Sequence, residues 1–511
     1  MPFINPLIAG LVGLLVSLGL ISLILRASRL SGFGLRETEG HHTHEIPVPR
    51  LGGLALAGAL VAVMVAGTLM EPDFLQKNQR WLIISSSLLM FGLGLWDDLF
   101  TLGAKRKLLG QIAIASLAYF SGVAIEHFKI PFTGHIVDLG WWGWLVTVFW
   151  LVAMTNLINL IDGVDGLAGG ICLMLMVLLS YVNLQSGSTG LIAIGMVGAL
   201  LGFLRFNFPP ARIYLGDGGA YFLGFMIGAM TIVASQKGTI FAALAAPLFV
   251  LALPIIDTSL AILRRGLRGL PLFRPDRGHL HHRLLNLGYS RRKVVVGVYV
   301  FTAVFLLLAF MAIYWRGQYF ALFIGIGALV IILTASQFSF SREWFTIGRT
   351  LGNSLESRAH IRYALTLSQW LALEGTRCQT IDELAADLVF IARKLGFTSV
   401  RIQLETDERV WPLTADQPDP THCQTFRYKF GRKRNCFLEF CVACPAASCG
   451  TCPSTTAAAD PVQVSGATLH RCSIQAELVA EGWHKAIKDW KRLHHKLPAH
   501  FADKTPDGDA R

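Results

Sequence analysis

Carboxylates gather at the ends of apolar segments in the first half of the sequence. Asp97 and Asp98 are adjacent, Asp162 and Asp165 are three residues apart, and Asp217 stands in a glycine-rich stretch. Adjacent carboxylates repel each other, and a bound divalent cation relieves that repulsion. Because magnesium prefers oxygen ligands and binds phosphates at the same time, the pattern predicts a Mg²⁺ site, with Mn²⁺ as a substitute. Ordinary solvated helix ends are the alternative.

Two amides precede the second carboxylate pair at the same spacing. Asn156, Asn159, Asp162 and Asp165 are each three residues apart, so successive members are neighbours on a helix. Each step drifts about 60° around the axis, and the glycines beside the last two can turn the chain back into a pocket. This pattern indicates binding of a nucleobase, a ribose or a metal, with polar helix packing as the alternative.

Glycines and basic residues surround two further segments. Asp217 lies between glycines before an apolar run, and the N-terminus of a helix favours phosphate. The loop 264–293 carries His279, His281 and His282 among arginines that include Arg265. This composition suits a diphosphate. Zinc is a competing ligand because histidines commonly bind it, and a solvated basic loop is the plain alternative.

Apolar segments must position these residues. The mean hydropathy is +0.51, hydrophobic residues make up 53% of the chain and charged residues 15%, which favours the bilayer as solvent. Runs long enough to span a membrane predict about eleven helices, and the fold class is an all-α polytopic membrane protein followed by a cytosolic α+β domain. The predicted spans lie near residues 5–25, 51–70, 80–96, 108–125, 143–160, 167–184, 188–205, 218–235, 239–263, 294–315 and 317–335.

The basic residues are unevenly distributed between the loops. Loops such as 26–50, 97–107 and 264–293 hold most of the Lys and Arg, and the alternate loops hold few. The positive-inside rule places the rich loops, and with them the acidic residues, in the cytoplasm. We therefore expect a multi-pass protein of the bacterial cytoplasmic (inner) membrane. The net charge of +12 fits anionic substrates and this membrane face better than a nucleic acid.

The composition changes after about residue 340. Thr380 and Glu383 have the spacing of a capping box that opens a helix to about Leu395. Alternating segments at 399–405, 425–430 and 436–442 predict strands, and 472–493 predicts a last helix. The predicted organisation is a membrane domain over 1–338, a cytosolic α+β domain over 339–497 that resembles GAF-like sensory domains, and a disordered tail over 498–511.

Cysteines cluster in that second domain. Cys441, Cys444, Cys449 and Cys452 form two close pairs. Structural disulfides are not expected in the reducing cytosol. Zinc binding, redox sensing and plain thiols remain open, because only four residues separate the pairs and zinc ribbons have a longer gap.

Residues 1–335 resemble the polyprenyl-phosphate N-acetylhexosamine-1-phosphate transferase family. The matching pieces, in order, are residues 47–53, the Asp97–Asp98 pair, Lys107, residues 156–166, residues 214–219 and residues 279–282. The histidine pattern His-Leu-His-His is that of the WecA-like branch, whereas phospho-MurNAc-pentapeptide transferases carry three consecutive histidines. Residues 41–45 depart from the Lys-rich segment usual before residue 47.

The resemblance implies an activity and roles for the residues. The family transfers a sugar-1-phosphate from a UDP-sugar to undecaprenyl phosphate with magnesium, releases UMP and starts a lipid-linked surface glycan such as O-antigen lipopolysaccharide or a cell-wall polymer. N-acetylglucosamine is the default sugar, and a homodimer is one option. The implied catalytic residues are Asp97, Asp98 and Asp217, and the metal ligands Asp217, Asp98 and Asp162. The implied substrate-binding residues are Lys107, Asn156, Asn159, Asp162, Asp165, Arg265, His279, His281 and His282.

Two other classes of protein compete with the enzyme. A transporter also keeps charged residues in membrane helices, but typically near the midplane and with repeat symmetry. A membrane sensor with a cytosolic regulatory domain would not need so many acidic residues on one side.

Overall fold

Two compact units make up the protein, one formed mainly by the chain before residue 340 and the other mainly by the chain after it. The computed structural model describes residues 4–31, 48–70, 74, 80–100, 102–129, 136–185, 189–237, 247–268, 284, 288–315, 319, 322–323, 325–330, 354–404, 407–413, 423–429, 436–443 and 466–494. The predicted domain boundary and the predicted disordered tail lie outside these residues.

Helices dominate the chain before residue 340. They are α1 (Ile4–Ser31), α2 (Gly52–Met70), α3 (Arg80–Phe100), α4 (Ala104–Phe120), α5 (Trp142–Ile161), α6 (Leu167–Gln185), α7 (Gly190–Asn207), α8 (Gly216–Lys237), α9 (Ala252–Arg268) and α10 (Arg291–Tyr314). A hairpin of two short antiparallel strands, β1 (His127–Lys129) and β2 (Ile136–Asp138), joins α4 to α5.

The polytopic fold class is confirmed. Within the described residues, eight helices are long and apolar enough to cross a membrane, and each coincides within a few residues with a predicted span. The span predicted at 108–125 corresponds to the shorter helix α4. The spans predicted at 239–263 and 317–335 lie partly outside the described residues. Long apolar runs are a strong signal because a bilayer requires about 20 such residues.

Helix α8 lies at the centre of the first unit. In an 18-residue stretch of this helix, 94% of the residues are buried. A Cβ atom added to Gly94 of α3 would lie 2.5 Å from the carbonyl oxygen of Asp217, and one added to Gly53 of α2 would overlap the backbone of Gly219. Small residues let membrane helices approach this closely. The glycines therefore bring α2 and α3 against the first turn of α8.

Backbone hydrogen bonds fix the loop that leads into α8. The amide of Gly52 donates to the carbonyl of Tyr214 at 2.9 Å, and the amide of Tyr214 donates to the carbonyl of Pro49 at 2.9 Å. The segment before α2 thus runs beside residues 214–219. Two of the motifs that carry the family resemblance are neighbours in space although about 165 residues separate them.

The second unit contains helices and an antiparallel sheet. Its elements are α11 (Ser354–Glu374), α12 (Ile381–Lys394), β3 (Ser399–Leu404), β4 (Asp407–Pro412), β5 (Cys423–Lys429), β6 (Phe437–Ala443) and α13 (Gly466–His494). The strand order is β4-β3-β6-β5. Fully buried side chains, such as Trp483 of α13 and Phe440 of β6, fill the core between helices and sheet. The α+β class of this unit is confirmed.

The capping box predicted for α12 is also confirmed. The Thr380 hydroxyl accepts from the Glu383 amide at 3.2 Å, and the Glu383 carboxylate accepts from the Thr380 amide at 3.4 Å. The sequence did not predict strand β4, because its residues do not alternate between apolar and polar types. Cys441 lies in β6, while residues 444, 449 and 452 fall outside the described residues, so zinc at the cysteine pairs stays a prediction.

Candidate active site

Asp97 lies at the end of α3 and is almost fully buried, with 3% of its side chain exposed. Its Oδ1 accepts a hydrogen bond from the backbone amide of Leu102 at 2.6 Å. Its Oδ2 forms an ion pair with the ammonium group of Lys107 in α4. The turn between α3 and α4 is thereby closed by one carboxylate.

Asp98 performs a different task from its neighbour. Its Oδ1 accepts from the backbone amide of Asp217 at 3.1 Å, and its Oδ2 accepts from that of Gly218 at 2.8 Å. The first amides of a helix have no partner within the helix and need an outside acceptor. Asp98 supplies it to α8 from another helix, so the two adjacent carboxylates serve separate contacts.

Asp217 receives bonds from two further helices. Its Oδ1 accepts from the Asn159 side-chain amide of α5 at 3.0 Å, and its Oδ2 accepts from the Lys107 ammonium at 3.1 Å. Lys107 therefore bridges Asp97 and Asp217. We call Asp97, Lys107, Asn159 and Asp217 the carboxylate–lysine cluster; it joins α3, α4, α5 and α8.

Lys107 keeps its charge at this position. Burial alone would lower the pKa of its ammonium group, but the hydrogen bonds and charges of Asp97 and Asp217 outweigh burial and raise that pKa. A positive charge between two carboxylates offsets part of their repulsion. The cluster can therefore exist at neutral pH and still present a cation to an anionic substrate.

The loop after α5 turns the chain back, as the glycine pattern predicts. Gly166 has a φ of +79°, which favours glycine, and its amide donates to the side-chain oxygen of Asn207 at 2.9 Å. The Asp165 carboxylate accepts from the amide of Ala211 at 3.1 Å and lies 3.6 Å from the guanidinium of Arg291. In these contacts Asp165 ties the loop to the segment after α7.

Asp162 is the first residue after α5, and its carboxylate is placed differently. Burial, followed by the negative charges of Asp217 and Asp98, raises its pKa well above the usual range for an aspartate. Hydrogen bonds from the described residues to this carboxylate are absent. The ionised form of a carboxylate in this environment is stabilised by any cation that approaches it.

The amide Asn156 lies one turn below the cluster. Its Nδ2 donates to the side-chain oxygen of Gln111 in α4 at 2.6 Å and to the carbonyl of Val152 at 2.8 Å. Gln111 is 1% exposed. The pair connects α4 to α5 directly beneath the contacts that Lys107 and Asn159 make with Asp217.

The donor set fits a hard divalent cation. Asp162 and Asp217 offer carboxylate oxygens beside each other's charge, which is the chemistry that magnesium binds. They are not preassembled as a tight triad: among the described residues, the group of three ligand-type side chains with donor atoms within 4.8 Å of one another lies in the second unit, at Glu374, Cys378 and Asp387. Metal binding by Asp98, Asp162 and Asp217 stays a prediction.

The contacts described above do not test the remaining predicted residues. Arg265 lies near the end of α9 and is partly buried. The histidines 279, 281 and 282 and the segment 41–45 fall outside the described residues. Their predicted roles are therefore untested.

Several polar residues of the site were missed in the sequence. Gln111 follows Lys107 by one helical turn, and that spacing, together with its place in an apolar helix, is the signal that could have revealed it. Asn207 and Arg291 hold the 162–166 loop, and the Tyr299 hydroxyl donates to the carbonyl of Gly166 at 2.5 Å. These lie far along the chain, and no local pattern connects them to the loop.

Similarity to known proteins agrees with this geometry. The model of glycosyl transferase family 4 matches residues 80–235, which include every member of the carboxylate–lysine cluster. A probable undecaprenyl-phosphate N-acetylglucosaminyl 1-phosphate transferase of Bacillus subtilis is 32% identical over 305 residues, covering 59% of this chain and 83% of that protein. The chain belongs to glycosyl transferase family 4.

Other relatives of this family 4 transferase carry two kinds of name. A decaprenyl-phosphate N-acetylglucosaminephosphotransferase of Mycobacterium leprae is 34% identical, covering 56% of this chain and 77% of the relative. A phospho-N-acetylmuramoyl-pentapeptide-transferase of Desulforudis audaxviator is 32% identical, covering 57% of this chain and 92% of the relative. The predicted membership of the polyprenyl-phosphate N-acetylhexosamine-1-phosphate transferases is confirmed.

Proposed function

We propose that this family 4 glycosyl transferase moves N-acetylglucosamine 1-phosphate from UDP-N-acetylglucosamine to undecaprenyl phosphate and releases UMP. The observation that carries the proposal is the carboxylate–lysine cluster, in which Lys107 bridges Asp97 and Asp217. Its ammonium group lies at the start of α4, beside the end of α3 and the first turn of α8. Cations at such a position favour phosphoryl groups.

The proposed reaction is a displacement at phosphorus. A phosphate oxygen of the lipid attacks the phosphorus that carries the sugar, a new phosphorus–oxygen bond forms, and the bond to the bridging oxygen of the diphosphate breaks. UMP leaves with the electron pair of that bond. Both reactants are anions, so neutralisation of charge and alignment account for most of the catalysis in this class of reaction.

The residues of this chain have distinct parts in the proposal. Lys107 neutralises the phosphates, and Asp97 holds Lys107 in place through their ion pair. Asp98 fixes the first turn of α8 and with it Asp217. Asp217 and Asp162 would hold Mg²⁺ or Mn²⁺, which would offset the charge of the diphosphate when bound. A strong general base is unnecessary because the lipid phosphate is already mostly ionised at neutral pH.

The proposal also includes the identity of the sugar and the side of the membrane on which the site lies. The His-Leu-His-His pattern at residues 279–282 favours N-acetylglucosamine over the MurNAc-pentapeptide. The ends of α3 and α5 and the starts of α4 and α8 meet at one face, and the basic loops favour the cytoplasmic side of the inner membrane for it. The product would start a lipid-linked surface glycan.

The experiment is a transfer assay with purified protein, polyprenyl phosphate, Mg²⁺ and a panel of UDP-amino sugars that includes UDP-MurNAc-pentapeptide. We expect UMP release that needs the lipid and is fastest with UDP-N-acetylglucosamine. Asp217→Asn should abolish transfer while the protein still inserts. Asp138→Asn, an exposed change in β2, is the matched control and should keep normal turnover.

Two outcomes would reject the proposal. Lipid-independent UMP release would indicate a hydrolase. The absence of UMP release with every donor would favour the hypothesis of a transporter or a sensor. Near-normal turnover in Asp217→Asn would reject only the role proposed for Asp217 and would leave the proposed reaction standing.

A further inference from the structure

Gln111 is a buried polar side chain with an unused donor. Its Oε1 accepts from Asn156 at 2.6 Å, yet its Nε2 has no hydrogen-bond partner in the part of the chain that the structure describes. Only 1% of the residue is exposed. A buried amide normally finds partners for its N–H groups, because a buried N–H group without a hydrogen bond costs free energy.

The position of this amide indicates which acceptor it meets. Gln111 follows Lys107 by four residues on α4, so both side chains lie on one face of that helix. Its partner Asn156 precedes Asn159 by three residues on α5. Lys107 and Asn159, which lie one turn nearer the ends of these two helices, both bind Asp217. The Gln111 amide therefore lies between α4 and α5, one turn further into the membrane than the carboxylate–lysine cluster.

We propose that Gln111 is a substrate-binding residue whose Nε2 donates a hydrogen bond to a phosphate oxygen of one of the two substrates. The Asn156 bond fixes the orientation of the amide, with its oxygen occupied and its nitrogen left for the ligand. The inference rests on the proposed function, since its two phosphate-bearing substrates would supply the acceptor oxygen. The polyprenyl phosphate and the UDP-sugar are its two sources.

One variant and two kinds of measurement separate a donor from a merely structural contact. Gln111→Met has a similar shape and no hydrogen-bond donor. Its kinetic constants report the bond to the substrate, and its thermal unfolding reports the packing and the contact with Asn156.

We expect Gln111→Met to lose about tenfold to a hundredfold in kcat/KM at every pH, the size of one hydrogen bond to a charged group. In Gln111→Met, a rise in KM for polyprenyl phosphate alone would assign the bond to the lipid. A rise for the UDP-sugar alone would assign it to the nucleotide diphosphate.

A structural role predicts a different result. Gln111→Met would then lower the thermal stability and leave the KM for both substrates at the wild-type values, and that result overturns the inference. Wild-type kcat/KM in Gln111→Met overturns it as well. Both leave the proposed function standing, whereas a wild-type protein that releases no UMP rejects the proposed function. Direct titration of the wild type and of Gln111→Met with UDP-N-acetylglucosamine and with polyprenyl phosphate then decides the donor role from the affinities.

Discussion

The Asp98 carboxylate closes the N-terminus of the helix that begins beside Asp217. Both of its oxygens accept backbone N–H groups, at 3.1 Å from Asp217 and 2.8 Å from Gly218. The carboxylate next to it in the chain, Asp97, is bound instead to Lys107 and to the amide of Leu102. Two adjacent acidic residues therefore hold two different parts of one site.

Removing the Asp98 cap should destabilise the protein and also slow the transfer reaction. We expect Asp98→Ala to lower the free energy of unfolding by about 1 kcal/mol, the usual effect of losing a helix cap, and to reduce transfer because Asp217 shifts. Asp98→Asn keeps one oxygen acceptor and should be intermediate in both. Thermal unfolding in detergent and UMP release measure the two effects. An inactive Asp98→Ala that melts like wild type would show that Asp98 acts in the chemistry and not as a cap.

Loss of the Lys107 ammonium should expose the repulsion between its two partners. Lys107→Met leaves Asp97 and Asp217 uncompensated, and we expect it to abolish transfer and to cost about 2 kcal/mol of stability, less than a fully buried pair because Lys107 is 28% exposed. The double variant Lys107→Met with Asp97→Asn removes one of the charges. It should recover stability but not activity, as unfolding and turnover measured side by side would reveal. Recovery of both would contradict a role for Lys107 in binding phosphate.

Cation binding should tighten as the pH rises. Burial and the charges of Asp217 and Asp98 raise the pKa of Asp162, so a proton competes with the cation at pH values where an ordinary aspartate is already ionised. As the pH rises through this elevated pKa, Asp162 loses its proton and the dissociation constant for Mg²⁺ or Mn²⁺ should fall. Calorimetric titration over a pH series measures it. Asp162→Asn should bind more weakly and flatten the pH dependence, and an affinity of the wild type that does not change with pH would refute the assignment.

The contact between α3 and α8 should tolerate no side chain at Gly94. A Cβ there would lie 2.5 Å from the carbonyl oxygen of Asp217 and 2.6 Å from the Cα of Gly218. We expect Gly94→Ala to displace the first turn of α8, to lower stability by about 1–3 kcal/mol, as overpacking does, and to reduce transfer at least tenfold.

Gly92 provides the matched control for this change. It lies two residues earlier on the same helix, and a Cβ added there meets no described atom beyond the backbone of its own helix within 4 Å. Gly92→Ala should therefore keep wild-type melting and turnover. Equal effects of the two substitutions would indicate that alanine acts through α3 itself and not through its contact with α8.

The sequence predicted well those features that depend on neighbours along the chain. The spans follow from long apolar runs, and the capping box at Thr380 follows from a spacing of three residues. The helix break at Gly166 likewise follows from its local glycine pattern. The charged strand β4 was missed because its residues do not alternate between apolar and polar.

The types of residue at the site, and their gathering at one end of the helices, were determined by the sequence alone. Its carboxylates, amides and Lys107 follow one another at the ends and starts of apolar segments, and antiparallel helices bring such ends together. Which residue contacts which was decided only by the tertiary structure. Successive residues of a helix point about 100° apart, so Asp97 and Asp98 face different partners. Those partners, Lys107 and the amides at the start of α8, are set by the packing of α3, α4 and α8, and glycines such as Gly94 allow that close approach.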